Sequence, residues 1–457
     1  MQLVKARGPA RRVPVAVTGL GLVTPVGIGR DAAWAGLCAG QSTAAADPGL
    51  DGLPVAFSCR VPDLDAAGLL GHRLSRRLDR FTTFALLAAR EAVADAGLTP
   101  GGWDGARVGV VMGVGTGSMQ GWQAEFDRLA DHTPERVSPL ALPRSVPNMA
   151  AAEIALDLGA QGPNMVVSTA CASGTSALGL ARDWLLSGAC DLVLAGGSES
   201  ARLRMTAACF AQMRALSRRA DSPEAASRPF DRDRDGFVLG EGAAVLVLER
   251  TEDARARAVR PTVLLSGFGA SCDAHHFTAP HPGGDGAARA IRGALADAGL
   301  APEDVDHVNT HGTSTPQGDA AEHNALQQVF RRPPPVTAVK GAIGHAIGGA
   351  GAIEAACTVL TLAHQLIPPT ANLDTLDPAM DLDVVTKAPR PQPIRAALSN
   401  SFGFGGQNAV LAFTTVDPYP SPPQHPHPRP YPSPHPLPEA PPSERVPSCR
   451  SSRNPPV

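Results

Sequence analysis

The chain has 457 residues, with 40 Lys and Arg against 43 Asp and Glu, a formal net charge of -3, and 43% hydrophobic residues. That length holds two domains or one large unit with two cores, and the near-neutral balance excludes a protein that binds nucleic acid or an acidic membrane through a basic surface. Eight cysteines with no C-x-x-C pair exclude a disulfide scaffold and a zinc ribbon, and they fit a reducing cytoplasm.

The first twelve residues are basic but lack a following apolar region and cleavage site, so no signal peptide is expected. No run of about 18 apolar residues predicts a membrane-crossing helix. Residues 13–17 (V-P-V-A-V) read as a strand running into a glycine turn at 18–21 (T-G-L-G). A helix is predicted over 30–42, a loop over 48–65, a long amphipathic helix with a basic start over 73–96, and a strand over 108–112. Residues 192–195 and 243–248 are buried-type strands, separated by a charged, glycine-containing loop, and 250–260 is a polar linker.

The stretch 164–188 (N-M-V-V-S-T-A-C-A-S-G-T-S-A-L-G-L-A-R-D-W-L-L-S-G) predicts strand, tight turn and helix. Cys171 falls near the first helical turn, where the helix dipole and unpaired N–H groups favour thiolate over thiol. Small neighbours leave room for a substrate carbonyl. The alternative is a buried structural cysteine.

After the linker the pattern restarts. Residues 263–269 (V-L-L-S-G-F-G) echo 15–21 (V-A-V-T-G-L-G). A helix over 284–299, strands over 305–310 and 336–340, and a helix over 350–366 follow. This reads as an internal duplication of α/β units, with parallel sheets covered by helices. Two halves facing across a pseudo-twofold axis would bring Cys171 and the Lys340–His345 turn into one central site. The expected units are 12–255, carrying the cysteine, 256–416, carrying the two histidines and the lysine, and a tail over 417–457. That tail holds sixteen prolines, cannot pack a core and reads as disordered.

Three more clusters carry candidate chemistry. They are 308–322 (V-N-T-H-G-T-S-T-P-Q-G-D-A-A-E), 338–354 (A-V-K-G-A-I-G-H-A-I-G-G-A-G-A-I-E) and 400–408 (N-S-F-G-F-G-G-Q-N). His311 and His345 each enter a glycine turn after a strand, and the glycines of the last cluster permit close backbone approach. With Cys171 they form a Cys-His-His set.

In this combination and order, the clusters resemble the β-ketoacyl-acyl carrier protein synthase family, the elongating ketosynthases of the synthase II and type II polyketide group. The resemblance runs from about Arg12 to Thr415 and includes 18–27 (T-G-L-G-L-V-T-P-V-G) and 226–242 (A-S-R-P-F-D-R-D-R-D-G-F-V-L-G-E-G). It implies a thiolase-like duplicated fold with a layered α-β-α-β-α core. It also implies decarboxylative condensation of an acyl thioester held on Cys171 with a malonyl unit. By resemblance, His311 and His345 promote decarboxylation, Lys340 and Glu354 support them, and the backbone amides of Cys171 and Phe404 form the oxyanion hole. Phe210, Phe402 and Phe404 line the pocket, and Arg76, Arg77 and Arg214 meet the acidic carrier protein. Implied partners are acyl- and malonyl-loaded carrier protein and a second subunit, either a copy of the chain or a chain-length-factor-like protein, with no metal or redox cofactor, no nucleic acid and no membrane. The chain departs from the family's usual motifs at Gly341, Gln407 and Ser173.

Two other functions remain open at this level. A non-catalytic chain-length-factor-like subunit would lack the nucleophile that Cys171 supplies. The other is a coenzyme A-dependent thiolase or acyltransferase, and the paired histidines argue against a thiolase, which would use a second cysteine. His275-His276 lacks a third ligand with metal-site spacing, and Gly19-x-Gly21 lacks the rest of a dinucleotide motif. Cys190, Cys209 and Cys357 lie in apolar runs and are expected in the core.

Overall fold

The computed structural model describes residues 14–117 and 119–416; the first thirteen residues, residue 118 and the proline-rich stretch from 417 lie outside them. A mixed sheet of eleven strands among the described residues forms the centre. Ten lie on one path: β1 (Val15–Thr24), β2 (Val108–Gly113), β3 (Asn164–Val167), β4 (Leu192–Ser200), β5 (Glu241–Arg250), β6 (Val263–Cys272), β7 (His307–Asn309), β8 (Val336–Thr337), β9 (Ala396–Gly403) and β10 (Gln407–Thr415). Their order in space is β3-β2-β4-β5-β1-β6-β10-β9-β7-β8.

The pairing repeats outward from the middle. β2 pairs parallel with β3 and β4, as β7 does with β8 and β9. β4/β5 and β5/β1 are antiparallel, as are β9/β10 and β10/β6. The two sets join where β1 meets β6 antiparallel over three residue pairs. The expected all-parallel sheets are therefore mixed. The tight Phe404–Gly406 turn between β9 and β10 returns the chain directly, which imposes antiparallel pairing.

Five helices layer this sheet: α1 (Arg80–Asp95), α2 (Ser173–Leu186), α3 (Asp285–Ala298), α4 (Pro316–Val329) and α5 (Ile347–His364). α1 packs on β1 and β5, and α3 on β6 and β10. Between the half-sheets, α2 and α5 pack against each other and against strands of both halves. This is the layered, duplicated α/β arrangement. α5 is long and apolar enough to cross a membrane by composition, contrary to the sequence expectation, but it lies almost entirely inside the protein, where its apolar residues form the central core.

Three local expectations change. The segment 18–21 is no turn: β1 continues through it, with only a shift in its pairing to β5 between Val17 and Gly19. A Cβ on Gly21 would sit 2.0 Å from the Ala88 carbonyl oxygen of α1, and one on Gly269 would sit 2.1 Å from that of Ala290 on α3. The repeated glycines thus let each helix lie on its strand. The expected helix over 73–96 is broken, with a single turn at His72–Ser75 and α1 starting only after Asp79, which is extended. Arg80 then turns inward to the buried Glu241 carboxylate. Last, Cys190 and Cys357 are buried but Cys209 is exposed, because its short helix, Arg204–Gln212, lies on the surface.

Candidate active site

Cys171 sits in the turn between β3 and α2, two residues before the helix starts. Ser173 ties that turn: its Oγ accepts from Thr169 N (2.9 Å) and donates to the Ala170 carbonyl (2.6 Å). The end of β9 lies against it, since a Cβ on Gly403 would be 2.9 Å from Cys171 N. This contact lets the Phe404 backbone N–H hydrogen-bond the Cys171 sulfur. The expected activated thiolate is not what the surroundings favour. Cys171 is 9% exposed, and burial pushes its thiol up to about 11, although Lys340 and the Phe404 N–H both pull it down. Desolvation outweighs the pull of the helix end.

His311 follows β7. Its backbone N–H and that of Gly312 donate to the two Glu322 carboxylate oxygens at 2.9 and 2.8 Å. Glu322 is on α4, which starts with Pro316 and is capped by Thr315. Lys340, from the helical turn after β8, lies 3.3 Å from His311 Nδ1 and donates to the His311 carbonyl at 2.6 Å. An ammonium only donates, so Nδ1 accepts and the His311 ring proton is on Nε2. Lys340 also forms a fully buried ion pair with Glu354 of α5. Three acceptor oxygens around this pair, Glu354 Oε2, Asn309 Oδ1 and Asn400 Oδ1, have no partner among the described residues.

His345 occupies the turn before α5. Its backbone N–H donates to the Val238 carbonyl (2.8 Å) and its carbonyl accepts from Gly240 N (3.0 Å). The His311 and His345 rings meet edge to face, 5.5 Å between centroids. Burial first, and the neighbouring Lys340 second, hold both imidazoles well below their ordinary value, so both are neutral at pH 7.

The duplication accounts for the meeting of these turns. α2 and α5 cross at their N-terminal ends through small residues: a Cβ on Gly174 would be 2.5 Å from Ala352 N, and one on Gly351 would be 2.2 Å from Thr175 Oγ1. A cavity of about 420 Å³ results, lined by Cys171, His311, His345, Phe210, Phe402 and Phe404 among others. The Phe402 ring meets His311 edge-on at 5.7 Å. Arg214, exposed, lies on the cavity wall. Arg76 and Arg77 are exposed and do not line it, and Arg77 is ion-paired with Glu153.

Among the described residues no three His, Cys, Asp or Glu side chains are grouped to hold a metal. His276 Nδ1 instead accepts from Thr278 N and Ala279 N, and His275 packs against His281. Where the motif usually has serine, Gly341 lets the Ala371 backbone come close: a Cβ there would meet Ala371 O at 2.9 Å. Sequence reasoning missed the roles of Glu322, Glu199 and Phe237. Glu322 stands eleven residues after His311, a spacing that puts it on the next helix. Glu199, the last residue but one of β4, is buried and accepts from Gly115 N (2.7 Å), Thr116 N (3.0 Å) and Thr116 Oγ1 (3.0 Å). Burial pushes its carboxyl up to about 7.

A buried thiol beside a fixed N–H, with two neutral imidazoles across the same cavity, suits acyl transfer followed by stabilisation of an enolate. Comparison with known proteins agrees. Residues 12–254 match the family model for the beta-ketoacyl synthase N-terminal domain, and residues 263–374 that for the C-terminal domain. The chain is 43% identical over 404 residues to a 3-oxoacyl-[acyl-carrier-protein] synthase 2 of Synechocystis sp., covering 87% of this chain and 97% of that protein. Among solved structures it is similar to the ishigamide ketosynthase/chain length factor, with a TM-score of 0.84 and 36% identity, covering 89% of this chain and 100% of the other. It is also similar to a type II PKS acyl-carrier protein complex with its ketosynthase bound to the hexaketide, with a TM-score of 0.82 and 32% identity, covering 88% and 99%.

Proposed function

The chain belongs to the beta-ketoacyl synthase family, and from that premise we propose how its own residues divide the work. It is an acyltransferase of the 3-oxoacyl-[acyl-carrier-protein] synthase class, an elongating ketosynthase of fatty-acid or polyketide synthesis.

In this reading the Cys171 sulfur attacks the thioester carbonyl of an acyl carrier protein. The oxyanion is held by the Phe404 and Cys171 backbone N–H groups, and losing one such donor typically costs about 3 kcal/mol. The thioester C–S bond breaks, the acyl group stays on Cys171, and the thiol proton ends on the released carrier thiol. A malonyl unit on a second carrier protein then loses carbon dioxide. The electron pair of the broken C–C bond becomes an enolate, whose oxygen faces His311 and His345 as neutral N–H donors. Its carbon attacks the Cys171 thioester carbonyl and the acyl–sulfur bond breaks. Cys171 leaves as thiolate and regains a proton from solvent, and the β-ketoacyl chain, longer by two carbons, stays on the second carrier protein. Lys340 fixes the His311 tautomer, and Glu354 neutralises Lys340. Phe210, Phe402 and Phe404 shape the acyl pocket.

The observation that carries this reading is the meeting of Cys171, the Phe404 N–H and two neutral imidazoles in one cavity. Its presence in a formed site favours the catalytic subunit over a chain-length-factor-like partner. Arg76, Arg77 and Arg214 are assigned to the acidic carrier protein. β3 is one of the two edge strands of the sheet path and exposes Met165, with Leu156 exposed on the neighbouring helix Met149–Leu158; this edge is assigned to the second subunit, a copy of the chain or a chain-length-factor-like protein. We divide the chain at 12–255 and 256–416, and the free thiols among the described residues support a reducing, cytoplasmic setting.

Intact-protein mass spectrometry with an acyl carrier protein tests the assignment. Wild type gains one acyl group and Cys171→Ala none; an adduct on the alanine variant overturns it. His311→Ala and His345→Ala should still acylate but fail to decarboxylate malonyl carrier protein.

A further inference from the structure

His345 differs from His311 in one respect. A side chain, Lys340, fixes the His311 ring, whereas both ring nitrogens of His345 are buried with no hydrogen-bond partner among the described residues. Burying two unpaired nitrogens leaves a ring free to spin unless packing holds it. Two rings meet it edge to face: His311, already fixed by Lys340, and Phe237, whose ring stands on His345 at 5.4 Å between centroids and 77°. Phe237 is 5% exposed and is held from behind by Phe210, again edge to face at 5.2 Å.

The backbone of Phe237 is equally constrained. Its N–H donates to the Ala215 carbonyl (3.0 Å), and its carbonyl accepts from Ser217 N (2.9 Å). One residue earlier, Gly236 N donates to Ser314 O (3.1 Å), in the loop that follows His311. One residue later, Val238 O takes the His345 N–H, and Gly240 N then closes on the His345 carbonyl. The segment 236–240 is thus tied to both histidine loops, and Phe237 is the side chain it delivers to the cavity.

We propose that Phe237 is the positioning residue for His345: its ring, in place of a hydrogen bond, sets the imidazole plane and keeps water from the two ring nitrogens. A water-free imidazole with no acceptor to satisfy keeps its N–H for the substrate oxygen that arrives with the malonyl unit. Phe237 itself touches no reacting atom. This rests on the reading of His345 as an enolate donor, and it deepens that reading by naming what orients the donor.

The test is a comparison of two half-reactions in the full-length protein. Phe237→Leu should slow release of carbon dioxide from malonyl carrier protein about tenfold, the scale of one aromatic pair, and should slow Cys171 acylation by much less. A ring-nitrogen NMR titration supplies a readout that a general structural role would not move. The His345 signals should stay neutral between pH 5.5 and 7.5 in wild type and begin to titrate in the variant as water enters. Phe237→Met keeps more of the side chain's length and decides the matter alone if the leucine variant does not fold. Equal slowing of both half-reactions, or an unmoved titration, overturns the proposal. His345→Ala separates the two ideas: if it still decarboxylates, the enolate reading itself fails, whereas its loss of decarboxylation beside an unaffected Phe237→Leu sinks only the role of Phe237.

Discussion

Lys340 and Glu354 form an ion pair that solvent does not reach, each side chain about 1% exposed, with the lysine also capping the His311 carbonyl. Such a pair contributes little net stability, but breaking it leaves one uncompensated buried charge. Lys340→Met should therefore destabilise the protein by about 3–5 kcal/mol in urea unfolding. The double variant Lys340→Met/Glu354→Gln should recover most of that. Equal stability of the single and double variants would show that the pair is not coupled.

The protonation of Cys171 is open to direct measurement. Burial holds its thiol near 11 in spite of Lys340, so the free enzyme carries a thiol at pH 7. Alkylation of Cys171 by iodoacetamide, followed by mass spectrometry, should rise about tenfold per pH unit from 7 to 9.5 with no plateau. A plateau below pH 8 would mean a thiolate already formed in the resting site.

Glu199 supplies a pH dependence whose sign is set by burial. Its folded-state carboxyl, near 7, lies above the ordinary 4.5. The folded protein therefore holds a proton there that the unfolded chain has lost. The stabilisation is fully present below about pH 4.5 and disappears as pH rises through 7, a change of about 3 kcal/mol. Wild-type stability relative to Glu199→Gln should fall between pH 5 and 8, because the glutamine variant lacks the proton. Parallel stability curves for the two proteins would remove Glu199 as the source.

Two glycines predict opposite effects of the same change. Gly21→Ala forces a Cβ to within 2.0 Å of the Ala88 carbonyl, so α1 must lift from β1, at a loss of about 2–3 kcal/mol or more. Gly293 lies inside α3, where a Cβ meets only the Gly269 Cα, at an ordinary 3.4 Å. Gly293→Ala should stabilise by about 0.5–1 kcal/mol. Melting temperatures of the two variants should move in opposite directions.

Much of this was legible in the chain. Apolar runs marked β2, β4, β5 and β6, and the glycines at 284 and 299 bracketed α3, since both signals are local. The four clusters announced Cys171, His311, His345 and Lys340, and the structure brings the first three to one cavity and sets Lys340 against His311. The echo of 15–21 in 263–269 was read correctly as duplication but wrongly as a turn. A Gly-x-Gly pair looks the same to a local reading whether it bends the chain or admits a helix, and the helix that explains it lies some seventy residues further on.

The residue order settled which reactive groups the protein possesses and that two similar halves would present them from matching turns, because motif and periodicity are properties of neighbours along the chain. Their chemical state was left to tertiary structure. Whether Cys171 rests as thiol, which tautomer His311 adopts and what holds His345 all depend on desolvation and on Lys340, Phe404 and Phe237. Those partners come from distant segments, and burial is a property of the packed molecule, so no local pattern could weigh one against the other.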